Sequence, residues 1–349
     1  MKPEETLVRI LQRQFILKID DAYGDDVIDD FKLCVSKLKQ LYKAIDIGQY
    51  ETITAIVGCH TELQAISKTM NMDNLHSITT KRLAVNFVDE DTVNVIQDDQ
   101  LATDSLSEKT FVYRWTCGER HADQFCIKKE WHAFSEEETP SEGSFFAVRT
   151  YNDLDEALVF YRDNLAISCK GKSLAESMTE SRLFFHPSPE DKLQETLEEY
   201  LSYRLRNCTV KREHNVDDSH PVDIIVTWQG TNHIALIEIK WIGKSLNERG
   251  EIGVTYTDSR ACSGAAQLVS YIDNNSDSYP HHVTIGYLAV FDLRRKDNND
   301  PNAEKLLRAN ADYYREREIN FDTKYETIRT DFKKPYRFFI KVSNNAYQD

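Results

Sequence analysis

Three charged side chains lie inside two strongly apolar segments of this chain. Asp223 lies in the segment PVDIIVTW, and Glu238 and Lys240 lie in the segment HIALIEIKW. Side chains alternate between the two faces of a strand, so Glu238 and Lys240 project from the same face. Burying an unpaired charge costs several kcal/mol. We therefore expect a compensating ion, and the simplest is a divalent cation held by Asp223 and Glu238, with Lys240 beside it.

The surrounding sequence predicts the elements that hold these residues. A Gly-centred turn joins two strands within 221–241, with one helix before them and another after them. The earlier helix begins at Ser188, an N-cap residue type, with Pro189 in the first helical position. The later helix carries Gln267 and Tyr271 one turn apart. We also expect a loop at 244–261, strands at 281–293 and 335–342, and a helix at about 302–317.

The first half of the chain has a different pattern of apolar and polar residues. Residues 4–45 predict two helices that break within 20–30, and residues 50–80 predict another helix. From about 82 to 150 the pattern changes to short strands, the last of them at 143–151, separated by acidic loops, of which 136–144 is the most loop-like. A helix follows at 153–166. The fold class is therefore α/β (α+β), with a helical-then-β module over 1–170 and a second domain over 175–349.

The combination of Pro221-Val222-Asp223, Glu238-Ile239-Lys240 and Gln267-x-x-x-Tyr271 resembles the PD-(D/E)xK nuclease superfamily, in its RecB-like QxxxY variant. The resemblance covers about residues 181–295, and Val222 is an extra residue between the proline and the aspartate. It implies a restriction-endonuclease-like mixed sheet flanked by helices. The bare (D/E)-x-K triplet is weak evidence, since it also occurs at 30–32, 190–192, 322–324 and 331–333. Only the triplet at 238–240 lies in an apolar strand.

The resemblance also implies roles for individual residues. Mg²⁺, for which Mn²⁺ can substitute, would be held by Asp223, Glu238 and the carbonyl of Ile239. Lys240 would orient or activate the attacking water. The remaining catalytic residues would be an auxiliary glutamate on the preceding helix and the pair on the following helix, namely Glu190, Gln267 and Tyr271.

Plainer interpretations remain open for each of these residues. The strand charges would also suit a structural salt-bridge ladder on a half-exposed sheet. Glu190 would also suit a first-turn residue that complements the helix dipole, and Glu198 would replace it if the helix were rotated. Gln267 and Tyr271 are equally consistent with ordinary packing. A zinc site is a further alternative, disfavoured because it has no CxxC pair, and it would use Cys117, His121, Cys126 and His132.

Composition limits the partners and the compartment. The net charge of −15 gives no positive support for a nucleic-acid partner, but the acid excess is concentrated in residues 61–180 (net −10), while residues 286–349 are at +2. Seven unpatterned cysteines suit reduced thiols. The apolar runs are too short for a membrane span, and the N-terminus has no signal-peptide pattern. We therefore expect a cytoplasmic protein without membrane contact.

The leading hypothesis is a Mg²⁺-dependent nuclease, with an endonuclease acting on DNA favoured. Residues 1–170 would bind a protein partner, support an oligomer, recognise substrate or regulate activity. A recognition module fused to such a domain resembles effectors of bacterial antiviral defence, an analogy of architecture alone. The alternatives are a non-catalytic scaffold subunit of a nucleic-acid-processing complex and an RNA-directed nuclease.

Overall fold

The computed structural model describes residues 3–58, 67–78, 80–89, 91–96, 111–135, 143–215 and 221–348. These residues form a mixed α and β structure with two compact units. The first unit comprises Met1–Tyr151, Gly230–His233 and His281–Val283. The second unit comprises Asn152–Gln229, Ile234–Pro280 and Thr284–Asp349.

The first unit begins with two helices and continues with strands. Helices α1 (Pro3–Tyr23) and α2 (Asp25–Ala44) meet at Gly24, whose φ of +84° suits glycine and breaks the helix as predicted. Short 3₁₀ turns follow at Ile47–Gln49 and Met72–Ser77. The strands are β1 (Thr52–Val57), β2 (Ser67–Asn71), β3 (Arg82–Phe87), β4 (Thr92–Ile96), β5 (Phe111–Thr116), β6 (Asp123–Ile127) and β7 (Glu130–Ala133).

One sheet joins these strands in the order β2-β4-β3-β1-β5-β6-β7, counted over the described residues. β1 and β3 are parallel, and the other pairs are antiparallel. An aromatic core connects the helices to the sheet: the ring centroids of Phe15 and Phe31 lie 5.2 Å from that of Phe125. Burial of these rings is the main source of stability in such a core.

Two predictions in this unit are wrong. The helix expected over 50–80 is replaced by β1, β2 and the 3₁₀ turn between β2 and β3, with 59–66 outside the described residues. Its β-branched run, Thr52 to Val57, pairs on both edges, which outweighs the helical spacing. The strand expected at 143–151 is absent from the described backbone, because the Asp123 carboxylate accepts the N–H of Phe145 and anchors an irregular segment. Most of the expected loop at 136–144 lies outside the described residues.

The second unit contains the remaining elements. Its helices are α3 (Tyr151–Phe160, continued by a π-helical turn, Tyr161–Ala166), α4 (Lys172–Glu176), α5 (Glu190–Arg204), α6 (Asp258–Ser278), α7 (Arg308–Ala311) and α8 (Tyr325–Ile328). Its strands are β8 (Cys208–Asn215), β9 (Pro221–Trp228), β10 (His233–Leu246), β11 (Ile252–Tyr256), β12 (Val283–Asp292), β13 (Leu306–Leu307), β14 (Tyr336–Phe339) and β15 (Tyr347–Gln348), with a 3₁₀ turn at Asn344–Ala346.

A mixed sheet forms the centre of this unit. Its order is β14-β12-β10-β9-β8, with β11 paired to β10; β9 is antiparallel to both of its neighbours, and β12 is parallel to β14. Helix α6 packs on the sheet through Leu268 and Ile272, which lie in one buried cluster with Leu236 and Leu288. This arrangement is consistent with the predicted α+β class.

Several boundaries differ from the sequence-based expectations. β10 and β11 form a hairpin within the predicted loop at 244–261, closed by the Asn247 N–H bonded to the Glu251 carbonyl. The prediction of a helix at 302–317 is wrong in its length, because the α-helix there comprises only the four residues of α7. Helix α5 begins at Glu190, because Ser188 has a φ of +50° and Pro189 occupies the cap position.

The division between the units also lies earlier in the chain than the expected 170–175. Residues 152–170 group with the second unit because they pack on its core: the Tyr161 ring lies 5.2 Å from that of Phe338, and the Lys341 N–H bonds to the Ile167 carbonyl. The roles assigned to 1–170 and 175–349 remain predictions.

Candidate functional site

Asp223 lies where the β9–β10 ladder changes from backbone pairing to side-chain pairing. The last paired residues of the regular register are Ile224 and Ile237. One step further, the Asp223 Oδ2 atom accepts the N–H of Ile239 at 2.6 Å. The carboxylate therefore takes the place of a backbone acceptor, which fixes its position beside the β10 residues that follow.

Glu238 and Lys240 lie on the face of β10 that packs against helix α6. Glu238 is 1% exposed and Lys240 is 7% exposed. The Lys240 ammonium donates to Glu238 Oε1. The second oxygen, Oε2, is buried and has no hydrogen-bond partner within the described residues. A buried carboxylate oxygen without a donor is costly, so this atom is available to a cation.

The pKa values of Glu238 and Asp223 are both raised. Burial raises the pKa of Glu238 to about 8, and the neighbouring Asp223 charge acts in the same direction, while the Lys240 and Arg260 charges oppose it. Burial also raises the pKa of Asp223, and the Ile239 hydrogen bond opposes that shift. A divalent cation favours both ionised carboxylates, so it would relieve this repulsion.

Gln194 of α5 occupies the position beside Asp223. Its Nε2 donates to Asp223 Oδ1 at 2.7 Å, and its buried Oε1 has no partner among the described residues. Sequence reasoning missed this residue. The sequence feature that could have identified Gln194 is its position next to Leu193, at the border of the apolar stripe of α5.

Glu190 lies one turn earlier, at the exposed edge of the site. Its Oε1 accepts from Arg260 Nη2 at 2.9 Å, and its side chain is 49% exposed. Its negative charge contributes to the raised pKa of Asp223, so it is within electrostatic range of the carboxylate pair. Its catalytic role remains a prediction.

Gln267 and Tyr271 join α6 to the start of β9. The Gln267 amide donates to the Tyr271 hydroxyl, which donates to the Pro221 carbonyl at 3.3 Å. Tyr271 thus anchors the backbone two residues before Asp223. In the described part of the chain, Gln267 has no hydrogen bond to either carboxylate, and a direct catalytic role for either residue remains a prediction.

Gly264 of α6 is a second residue that sequence reasoning missed. A Cβ atom at this position would lie 2.5 Å from Lys240 Cγ and 3.1 Å from Lys240 Cε. The missing side chain therefore creates the space in which the lysine stem crosses the helix. The run of small residues at 263–266 was the available signal.

The donor set fits a hard divalent cation in part. Asp223 and Glu238 supply carboxylates, and the orphaned Oε atoms of Glu238 and Gln194 are oxygen ligands of the type that Mg²⁺ prefers. However, among the described residues no group of three or more His, Cys, Asp and Glu side chains is placed to hold a metal ion. The same result argues against the zinc alternative, whose His132 instead bonds to the Tyr23 hydroxyl.

Comparisons of this chain with protein-family models, with curated proteins and with solved structures found no match. None of the described helices combines the length and the apolar character that a membrane crossing requires.

Proposed function

We propose that this protein is a Mg²⁺-dependent nuclease that hydrolyses phosphodiester bonds in DNA, with endonucleolytic cutting favoured. The observation that carries the proposal is a carboxylate pair, the half-buried Asp223 and the buried Glu238, with Lys240 bonded to Glu238. A pair of acids removed from water is costly to ionise, and acids with raised pKa values beside an amine are typical of functional sites. We also propose, by analogy of architecture alone, that the protein acts as an effector of bacterial antiviral defence.

Each residue has a defined task in this scheme. Asp223, Glu238 and the Ile239 carbonyl would hold the metal, with the Gln194 amide oxygen as a further donor. A metal held there would supply a water of lowered pKa and would neutralise charge on the phosphate. The Ile239 N–H and the Gln194 amide fix the Asp223 carboxylate before substrate arrives. The Lys240 ammonium has three N–H donors, so those not bonded to Glu238 can orient the attacking water or a phosphate oxygen.

The direct test compares Asp223→Ala and Lys240→Ala with the parent protein on plasmid, linear and single-stranded DNA in Mg²⁺ or Mn²⁺. Each variant should lose cleavage while keeping its circular-dichroism spectrum. Glu248→Ala, an exposed acid in the β10–β11 turn, is the matched control and should cut normally. Undiminished cleavage by either site variant would show that the site is assigned wrongly.

A non-catalytic scaffold is the second candidate, and two observations favour it. The described residues contain no three-ligand acidic cluster, and Lys240 already neutralises part of the Glu238 charge. Titration calorimetry with Mn²⁺ separates the candidates. Heat of binding that disappears in Glu238→Ala supports the nuclease, whereas no binding by the parent protein supports the scaffold.

A further inference from the structure

Arg260 borders the carboxylate site, and no task described above uses it. It lies in the first turn of α6, and its side chain is 32% exposed, against 1% for Glu238. Its charge lowers the pKa of Glu238, and its Nη2 donates to Glu190 Oε1 at 2.9 Å. The guanidinium is therefore within electrostatic range of Glu238 and lies at the partly exposed edge of the site.

The guanidinium is held in one orientation by two contacts. Its Cζ lies 4.8 Å from the centroid of the Tyr256 ring, and Glu190 binds one edge of its plane. Stacking on an aromatic ring and pairing with a carboxylate both restrict a planar guanidinium. The side chain is thus preorganised, so little conformational entropy remains to be lost when a ligand binds.

Most of the hydrogen-bonding capacity of Arg260 is left over. Arginine has five N–H donors. Within the described residues its only side-chain hydrogen bond is the one to Glu190, and its Nε is buried without an acceptor. The buried Nε therefore needs an acceptor that the described protein residues do not supply, from a water or from a ligand. Carboxylate and phosphate groups both match a guanidinium fork, and a DNA substrate supplies the phosphate.

We propose that Arg260 binds a phosphate of the DNA backbone next to the phosphodiester that is cleaved, and that Glu190 positions Arg260 for this contact. The inference rests on the proposed function and adds a substrate contact to it. It also answers an electrostatic problem. A chain with a net charge of −15 repels DNA, so local cations at the site must supply the attraction.

The test uses Arg260→Ala and Arg260→Lys on a short fluorescent DNA duplex. A contact made equally in the ground state and the transition state raises KM and leaves kcat nearly unchanged. For Arg260→Ala we expect KM to rise about 10- to 100-fold, as for loss of a charge-assisted hydrogen bond. Arg260→Lys should reverse only a small part of this rise in KM, because lysine keeps the positive charge but lacks the forked N–H donors of a guanidinium. Glu190→Gln should raise KM by a few fold.

Binding is measured separately by fluorescence anisotropy in Ca²⁺ at several salt concentrations. The slope of log affinity against log salt should shrink by about 0.9 in Arg260→Ala, the value for one lost phosphate contact. Arg249→Ala removes an exposed arginine from the β10–β11 turn and should change neither KM nor the slope. It serves as the control for loss of charge alone.

The outcomes separate this inference from the proposed function. If Arg260 only neutralises Glu190 and Glu238, Arg260→Lys will restore KM fully and the salt slope will not change, which overturns the inference while cleavage stands. If the parent protein binds the duplex with an Arg260-dependent slope but never cuts it, the nuclease proposal fails, and the contact between Arg260 and a backbone phosphate stands without its link to a cleaved bond. If the parent protein does not bind the duplex, the inference is overturned as well.

Discussion

Gly264 and Lys240 lie so close that a side chain at position 264 would displace the lysine. A Cβ atom at 264 would lie 2.5 Å from Lys240 Cγ, and Lys240 is only 7% exposed, so the lysine stem has little freedom to move away. The absence of a side chain at Gly264 thus leaves the space that positions the Lys240 ammonium beside Glu238. The position of the proposed active-site lysine depends on helix packing as well as on its own strand.

Gly264→Ala should therefore reduce activity more than stability. Alanine improves helix propensity by about 1 kcal/mol, but the overpacking costs about 1–3 kcal/mol. A displacement of the amine by about 1 Å is enough to lower kcat by about 100-fold. Initial-rate kinetics and thermal melting measure the two effects, with the exposed Ser263→Ala on the same helix as control. A variant with full activity would show that Lys240 does not need this position.

Gln194→Ala should weaken both the fold and metal binding. It removes the donor from Asp223 Oδ1, a hydrogen bond to a charged group worth about 1.5–3 kcal/mol. Loss of a residue that orients a metal ligand lowers metal affinity by about 10- to 100-fold. Chemical denaturation and Mn²⁺ calorimetry test this, with the exposed Glu199→Ala on α5 as control. Unchanged Mn²⁺ affinity would exclude Gln194 from the site.

Gln194→Glu provides the opposite change at the same position. A third carboxylate beside Asp223 should raise the pKa of Asp223 further and destabilise the metal-free protein. The same carboxylate adds a hard oxygen ligand, so Mn²⁺ should bind more tightly than in the parent protein. Weaker Mn²⁺ binding in Gln194→Glu than in Gln194→Ala would contradict this placement.

The hairpin at the centre of the site was predictable because its information is local. Two apolar runs around a short Gly-containing turn fix an antiparallel pair, and strand alternation places Glu238 and Lys240 on one face. The register that the structure shows, Ile224 opposite Ile237, then brings Asp223 to the same place. No long-range contact is needed for any of these steps.

Which residue of helix α5 contacts Asp223 was not predictable from local sequence. The apolar stripe of α5 consists of Leu193, Leu197 and Leu201. Glu190 and Gln194 both border it, and the helical period alone does not decide which of the two reaches the sheet. That choice depends on how the helix rotates against β9, which is set by packing between residues far apart in sequence. The wrong helix at 50–80 has a related cause, since strand pairing overrides local spacing.

His233 should make the first unit sensitive to acid. Burial favours the neutral ring, in which Nε2 donates to the Ile45 carbonyl at 3.0 Å and Nδ1 accepts from the Thr150 hydroxyl at 3.0 Å. Burial lowers the pKa of His233 from 6.5 to about 4. The unfolded chain therefore binds the proton more readily, and the free energy of unfolding should fall by about 3 kcal/mol as the pH drops from 6.5 towards 4.

Melting temperatures measured across this pH range test the His233 prediction. His233→Gln should be less stable at neutral pH but should lose less stability on acidification than the parent protein. His281→Gln changes an exposed histidine of the same unit and should behave like the parent. An equal acid sensitivity in His233→Gln would assign the effect to other groups.

Glu238 should give the metal-free protein the opposite pH dependence. Burial raises its pKa from 4.5 to about 8, so between these values the folded chain holds a proton that the unfolded chain releases. Its contribution to stability is therefore full below about pH 4.5 and is lost as the pH rises towards about 8. A cation that binds the ionised pair competes with this proton, so Mg²⁺ should bind more tightly as the pH rises.

Melting with and without Mg²⁺ should then show a stabilisation that grows from about pH 6 to about pH 8 and levels off above it. Glu238→Gln cannot ionise, so it should remove both the pH dependence and the Mg²⁺ effect while Glu248→Ala keeps both. A Mg²⁺ stabilisation that is independent of pH, or that survives in Glu238→Gln, would place the cation elsewhere. Because the readout is melting, the result holds whether or not a cleavable substrate has been found.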